Sequence, residues 1–151
     1  MNTYETNMKR ARWMSLLATA PMNILSDAAA RYGALPGYLW LRQPEIGLAM
    51  VRARTGGTGR QFNLGEMSVT RCALRLQSGQ MGVAYVAGRD GKHAELAAIF
   101  DALLQSDAAE QVQRIVLVPI ENAITAAVAQ TRARAEATRV EFMTMVRGED
   151  A

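Results

Sequence analysis

Residues 44–105 decide the fold, because short apolar runs alternate there with glycine-rich turns before a helical pattern begins. The stretch reads PEIGLAMVRAR from Pro44, TGGTGR from Thr55, QFNLGEMSVTRCALRL from Gln61, MGVAYVA from Met81 and GRDGKHAELAAIFDALLQ from Gly88. Side chains that alternate in polarity with a period of two are typical of strands, and glycine-rich segments are typical of strand connections. The stretch therefore predicts a small β-meander closed by a helix.

The strands of this region can be placed from their alternation. Four are predicted, at Tyr38 to Arg42, Ile46 to Arg54, Glu66 to Leu76 and Met81 to Ala87. In the second, glycine and alanine share one face with Val51, so we expect another backbone or a helix to lie close against that face. The fourth strand is apolar on both faces, and we therefore place it in the centre of the sheet.

Apolar side chains at helical spacing predict four helices. The first begins near Met8 and is broken by Pro21, and a short second helix follows it. The third begins after Asp90, its predicted N-cap, and ends near Ser106. The last runs from Ile120 to Ala137. Its predicted core-facing stripe consists of Ile124, Val128, Thr131 and Ala135.

Residues 107–118 are ambiguous between helix and strand. Their start resembles a capped helix, whereas the β-branched run Ile115 to Val118 favours a strand, which we predict over Gln113 to Val118. A last strand is predicted at Val140 to Val146. This succession of elements predicts an α+β fold, with a mostly antiparallel sheet and helices packed on one face.

Composition agrees with one globular domain over residues 1–151, with loose ends at 1–7 and 148–151. The chain is 50% hydrophobic and 21% charged, and its net charge is +3. We find no signal peptide and no run of about 18 apolar residues, so we expect a cytoplasmic protein without a membrane span. Scattered arginines and the lack of an aromatic pair on a strand disfavour nucleic acid as a partner.

The glycine-rich segment Thr55 to Arg60 is the first candidate site. It lacks the Gly-Lys-Ser/Thr ending of a phosphate-binding P-loop, and it precedes a strand rather than a helix. Two interpretations stay open: its amides and flanking arginines cradle an anion or a carboxylate, or its glycines only supply positive φ at a strand connection. The candidate anion or interface cluster consists of Arg54, Gly56, Gly57, Gly59, Arg60, Arg71, Arg89 and His93.

Other reactive residue types give little support for an independent enzyme. His93 is the only histidine, which excludes a histidine-rich metal site; it is either an acid–base group or an ordinary residue at a helix N-terminus. Cys72 is the only cysteine and is predicted to be a core thiol. The carboxylates near the arginines are predicted to be ion-pair partners. The common nucleophile and zinc motifs are absent.

Blocks along nearly the whole chain resemble one known family, the PhnG subunit of the bacterial carbon–phosphorus lyase system. The most specific blocks are Gly47-Leu48, Arg52-Ala53-Arg54, Thr55-Gly56-Gly57-Thr58-Gly59, Phe62-Asn63-Leu64-Gly65-Glu66 and Thr70-Arg71. Further blocks are Arg12-Trp13-Met14, Leu17-Ala18, Gly88-Arg89-Asp90, His93-Ala94-Glu95, Asp101-Ala102-Leu103, Arg139-Val140-Glu141-Phe142 and Thr144-Met145-Val146-Arg147-Gly148. One departure is Met143, which follows Phe142 where the family often has a second aromatic residue.

The resemblance implies a subunit of a core complex with PhnH, PhnI and PhnJ, two copies of each, in which PhnG chains contact one another and PhnI. With PhnL, this system makes α-D-ribose 1-methylphosphonate 5-triphosphate from ATP and methylphosphonate. Displacement of the base is attributed to PhnI, and the iron–sulfur cluster and carbon–phosphorus cleavage to PhnJ. The resemblance therefore implies a scaffold subunit of a transferase, with no catalytic residue, cofactor or metal of its own.

One alternative function stays open, a stand-alone domain that binds an anion or a nucleotide. Such a domain is expected to be stable without partners and to melt at a higher temperature with ATP. As a weaker hypothesis we expect a cluster that orients a neighbour's carboxylates or helps to hold triphosphate. It consists of Arg54, Arg60, Arg71 and Arg89.

Overall fold

The computed structural model describes residues 3–139. Three strands and five helices follow one another in the order α1–α2–β1–β2–β3–α3–α4–α5. The helices are α1 (Thr3–Thr19), α2 (Met22–Tyr32), α3 (Gly91–Leu103), α4 (Ala109–Val112) and α5 (Val118–Ala137), with a π-helical turn at Gln113–Leu117. The strands are β1 (Tyr38–Arg54), β2 (Gln61–Leu76) and β3 (Met81–Ala87). The α+β prediction is confirmed.

The strands form an antiparallel sheet in the order β1-β2-β3. The two strands predicted on either side of Pro44 are one strand, interrupted by register shifts between Trp40 and Glu45. The bounds predicted for β3 are confirmed, but its central position is wrong: β2 lies in the centre and β3 at an edge. The outer face of β3 is partly exposed, with Tyr85 56% exposed. An apolar sequence on both faces of β3 therefore did not mean that the strand has a neighbouring strand on each side.

Helix α3 covers the inner face of the sheet and forms the core with it. Asp90 is its N-cap, as predicted, because its side chain accepts a hydrogen bond from the backbone N–H of His93 at 2.9 Å. A Cβ at Gly82 would lie 1.8 Å from the backbone oxygen of Ala98, so only glycine lets β3 approach the helix this closely. Every residue of α3 from Leu96 onward is buried.

The prediction of a strand over Gln113 to Val118 is wrong, because this segment is helical. Val112, Val116 and Ile120 are spaced four residues apart and are all fully buried, so helical packing outweighs the strand preference of the β-branched run. Pro119 is the second residue of α5 and directly follows the π-helical turn.

The continuous helical stretch Ala109–Ala137 is long and apolar enough, by length and composition alone, to cross a membrane. No such helix was expected from the sequence. The indication is weak, since core helices of globular proteins pass the same test. Only 22% of its most apolar 18-residue window is buried, so most of that surface faces outward in the isolated chain.

The molecule divides into a covered body and two parts that extend from it. We call residues 46–69 the hairpin arm, since β1 and β2 continue there beyond the last pair with β3, Val69 and Ala87. We call residues 125–137 the α5 arm. Every residue of the α5 arm is exposed, and none in the hairpin arm is buried.

Structure was also predicted for both ends of the chain. The prediction of a loose segment at 1–7 is wrong from Thr3 onward, where α1 begins. The predicted strand Val140 to Val146 and the tail 148–151 lie outside the described residues.

Candidate functional site

The hairpin arm is a two-stranded extension of the sheet that lacks a covering layer. Residues 47–54 pair with residues 61–69 as a two-stranded ribbon that reaches about 25 Å beyond β3, at ~3.3 Å per residue. Two-stranded hairpins are only marginally stable in water without a further layer. Within residues 3–139 no such layer covers this ribbon, because none of its residues is buried.

One face of the hairpin arm continues the apolar face of the core. Ile46 pairs with buried Thr70, so it lies on the side of the sheet that α3 covers. Leu48 and Met50 follow on the same side at two-residue spacing. Leu48 is nevertheless 66% exposed, and Ile46 and Met50 are more than half exposed. Helix α3 begins at the base of the arm, where the Asp90 N–H donates to Thr70 at 3.0 Å, and it runs toward Met81, away from these side chains.

The glycine-rich segment is the tip of this arm, a short turn that joins β1 to β2. Gly56 and Gly57 have φ values of 57° and 81°, in the region that favours glycine. Arg54 donates from Nη1 to the backbone oxygen of Gly59 at 3.2 Å, which holds the turn closed. The interpretation as a strand connection that requires positive φ is therefore confirmed, and an anion cradle here stays a prediction.

The four arginines predicted to cluster do not converge. Arg54 and Arg60 lie at the tip of the arm, whereas Arg71 pairs with Glu45, nine residues before Arg54 in β1. That separation amounts to about 30 Å along the strand. Arg89 lies in the turn between β3 and α3, at the base of the arm. Arg60 and Arg89 make no ion pair with any described residue, so their guanidinium groups face solvent.

Arg71 is already bound within its own chain. Its Nε donates to Oε1 of Glu45 at 2.6 Å, and Arg42 donates to the same oxygen at 2.8 Å. The hydrogen bond from Arg71 lowers the pKa of Glu45, and the carboxylate in turn raises the pKa of Arg71. This confirms the prediction of ion pairing for Glu45, and it leaves Arg71 less available for a partner's anion.

His93 and Cys72 are both structural in the isolated chain. His93 is 7% exposed, and its Nε2 lies 2.7 Å from the carbonyl oxygen of Leu17; since a carbonyl only accepts, Nε2 carries the proton. Cys72 is a core thiol, as predicted, and its Sγ donates to the Ala94 oxygen at 3.2 Å. Burial raises the pKa of Cys72 to about 11, so the reactive thiolate is suppressed near neutral pH.

Asp101 has a structural role that the sequence did not indicate. Its carboxylate is fully buried and accepts four hydrogen bonds: two from Arg10, at 2.8 and 3.2 Å, one from Trp13 Nε1 at 2.8 Å and one from the Val83 N–H at 3.0 Å. These bonds tie α1, α3 and β3 together, and they occupy Arg10 and Trp13. The only indication of this role in the sequence was that Asp101 is a single acidic residue within the apolar run of α3.

The α5 arm exposes the stripe that was predicted to face the core. Ile124 is half-buried, but Val128 is 62% exposed, and Thr131 and Ala135 are also exposed. The prediction of a core-facing stripe is therefore wrong beyond Ile124, because α5 runs past the end of the body. Within residues 3–139, no group of three or more His, Cys, Asp or Glu side chains is arranged to hold a metal ion.

Comparison with known proteins identifies the family. Residues 8–148 match the family model described as phosphonate metabolism protein PhnG. The chain is also 44% identical over 146 residues to the alpha-D-ribose 1-methylphosphonate 5-triphosphate synthase subunit PhnG of Rhizobium meliloti (strain 1021). That alignment covers 94% of this chain and 91% of its relative. Both matches include the hairpin arm and the α5 arm, and the chain therefore belongs to the PhnG family of phosphonate metabolism proteins.

Proposed function

We propose that this chain is a structural subunit of an alpha-D-ribose 1-methylphosphonate 5-triphosphate synthase complex, in which it supports the use of ATP and methylphosphonate. The observation that carries this proposal is the hairpin arm, whose exposed apolar face continues the core. Large exposed apolar surfaces mark sites of association, and obligate interfaces resemble a domain core cut in half. A partner that covers Ile46, Leu48 and Met50 would complete the layer that α3 leaves unfinished.

In this proposal the chemistry belongs to other subunits. The only histidine is bound to a backbone carbonyl, the only cysteine is a buried neutral thiol, and Asp101 is saturated with hydrogen bonds. These three groups stabilise the body, and their contacts leave none of them free to act as a nucleophile or a general base. We therefore assign no cofactor to this chain; ATP is a substrate of the complex, and the iron–sulfur cluster lies on another subunit.

The proposed partners are PhnI, PhnH, PhnJ and PhnL, together with a second copy of this chain, in the cytoplasm. The hairpin arm and the α5 arm are formed by different parts of the chain, residues 46–69 and 125–137, so one chain offers two separate surfaces for association. A scaffold that joins several subunits needs such separate surfaces.

A stand-alone domain for an anion or a nucleotide is less well supported. Binding triphosphate needs several cationic donors that converge on one ligand. Here Arg54 and Arg60 are about 30 Å from Arg71 along the ribbon, and Arg71 is held by Glu45. If ATP nevertheless raises the melting temperature of the isolated, monomeric chain, this alternative replaces the scaffold proposal.

The test is co-expression of a tagged chain with the neighbouring genes of its genome, followed by native mass spectrometry. The wild type should be recovered in a stable assembly that contains it twice. Leu48→Asp places a charge on the exposed face of the hairpin arm and should release the chain from that assembly. Gln111→Asp, at an exposed position of α4, is the matched control and should leave the assembly intact. Recovery of the wild type alone as a folded monomer would refute the proposal.

A further inference from the structure

The α5 arm carries a second apolar surface, which is separate from the hairpin arm. Its exposed stripe lines an open groove of about 530 Å³ together with Thr19 and Pro21, at the junction of α1 and α2. The groove is lined mainly by apolar atoms, and its floor includes Ile124 and Val128. Among the described residues, α5 is exposed from Thr125 to Ala137, and an apolar groove on such an exposed helix is suited to a second helix.

The spacing of the stripe matches a helix–helix seam. Its members follow one another at intervals of four, three and four residues, which is the alternation of the a and d positions in a heptad. We call this set, Ile124, Val128, Thr131 and Ala135, the α5 seam. The seam is narrow and contains no aromatic residue or leucine, unlike the broad apolar face of a helix that lies in a membrane interface.

The charges beside the α5 seam are basic on both sides. Arg132 follows Thr131 on one side, and Arg134 precedes Ala135 on the other, which are the e and g positions of the heptad. Neither arginine has an ion-pair partner among residues 3–139. Glu136 lies farther from the seam and is bound by Arg139 at 3.1 Å. The seam therefore presents uncompensated positive charge on both flanks.

Flanking charges of this kind select the partner. If two copies of the α5 seam paired with each other, arginine flanks would face arginine flanks in either direction, which opposes association. We propose that the α5 seam docks an amphipathic helix of another subunit, with apolar residues at the same 4–3 spacing and Asp or Glu at the flanking positions. This inference rests on the proposed role as a subunit, and it names the chemistry of one partner.

The direct test uses two synthetic 21-residue peptides with Leu at every a and d position, one with Glu and the other with Lys at every e and g position. Fluorescence anisotropy with the full chain should show the Glu peptide binding at least tenfold more tightly. Val128→Asp should abolish binding, and the double variant Arg132→Glu with Arg134→Glu should reverse the preference. Equal binding of both peptides, binding of neither, or dimerisation of the chain through this seam would overturn the proposal.

A second measurement separates this inference from the scaffold proposal. In the co-expressed assembly, Val128→Asp should remove one kind of subunit while this chain stays bound to the others. Ala126→Asp, at the exposed f position on the opposite side of the same helix, is the matched control and should remove none. If Val128→Asp leaves the composition unchanged, the seam inference is wrong and the scaffold proposal stands. Flotation of the wild-type chain with anionic phosphatidylserine vesicles, lost in Val128→Asp, would show that a membrane occupies the seam and would overturn the inference.

Discussion

Strands β1 and β2 run through both the body and the hairpin arm and pair with each other in both, yet a third strand and a helix cover them only in the body. Beside β3, the β2 side chains of Cys72 and Leu74 are buried beneath α3. Beyond β3 the same inner face carries Leu48 and Met50, which are exposed. Strand sequence alone therefore did not decide which part of β1 and β2 is covered; the position and direction of α3, which runs from Thr70 toward Met81, decided it. The comparison teaches that the apolar pattern of β1 and β2 specifies more core than residues 3–139 cover.

The largest expected effect is in the body. Asp101→Ala removes the acceptor for Arg10, Trp13 and the Val83 N–H, and it leaves partly buried donors without this partner. Leaving such a donor unsatisfied costs about 1–3 kcal/mol of unfolding free energy for each group. Urea denaturation of the purified protein measures this loss.

The matched control in this comparison is Glu45→Ala, which breaks an exposed ion pair on the outer face of the sheet. Exposed pairs contribute little to stability, so its denaturation midpoint should remain close to the wild type. Similar losses in the two variants would contradict the distinction between a satisfied body and an exposed surface.

The next effect compares two glycines in one sheet. Gly82→Ala forces a Cβ against the backbone oxygen of Ala98, so α3 must shift, at a cost of about 1–3 kcal/mol. Gly47→Ala in the hairpin arm meets nothing within 4 Å in the isolated chain and should change stability by less than about 0.5 kcal/mol. Thermal unfolding of both variants measures the difference. A destabilised Gly47→Ala chain would mean that the arm is already packed.

The pH dependence of the unfolding free energy tests whether Cys72 is buried in the body. Cys72 ionises near pH 9 when unfolded, but burial raises its pKa to about 11 in the folded chain. Between these values the unfolded state binds fewer protons, so the unfolding free energy is complete below about pH 9 and falls as the pH rises toward 11. Urea denaturation at intervals from pH 8 to 11 should show the decline, with a smaller slope for Cys72→Ala. Equal slopes for the wild type and Cys72→Ala would mean that another titrating group causes the decline.

Tyr38 acts in the same direction at higher pH. Burial, and then its hydrogen bond to Glu95 at 2.6 Å, raise the pKa of Tyr38 to about 12. A folded pKa above the value of an unfolded tyrosine again means that stability is lost as the pH rises. Tyr38→Phe should therefore flatten the decline above pH 10, most clearly near pH 11, where the loss from Cys72 is nearly complete.

The smallest effect on stability belongs to the hairpin arm. Leu48→Asp exchanges an exposed apolar side chain for a charged one, so the isolated chain should unfold within about 0.5 kcal/mol of the wild type. Circular dichroism during urea denaturation measures this. A large loss would mean that Leu48 is buried within its own chain, and the arm would then belong to the body.

Much of the fold could be predicted from periodicity, because local spacing is recorded in the sequence. The bounds of β3, the cap at Asp90 and the break at Pro21 all follow from such local signals. The helical course of residues 113–118 could not, since Ile115 to Val118 has strand preference and only the tertiary burial of Val116 and Ile120 overrides it.

The surfaces for association were harder to predict, for a physical reason. The stripe of α5 was assigned to the core because it is apolar, and the sequence does not record whether a chain covers such a stripe itself or leaves it to a partner. The same holds for Leu48 and Met50. Conversely, Asp101 seemed an ordinary ion-pair partner, because the convergence of Arg10, Trp13 and Val83 on one carboxylate involves residues far apart in the chain.

Hydrogen exchange tests the central claim most directly, which is that a partner covers the hairpin arm. Amide exchange is measured by mass spectrometry on the isolated chain and on the co-purified assembly, peptide by peptide. The account predicts that residues 46–69 exchange rapidly in the isolated chain and become strongly protected in the assembly, whereas α3 is protected in both. An arm that exchanges equally fast in the assembly, or is already as slow as α3 in the isolated chain, would contradict it.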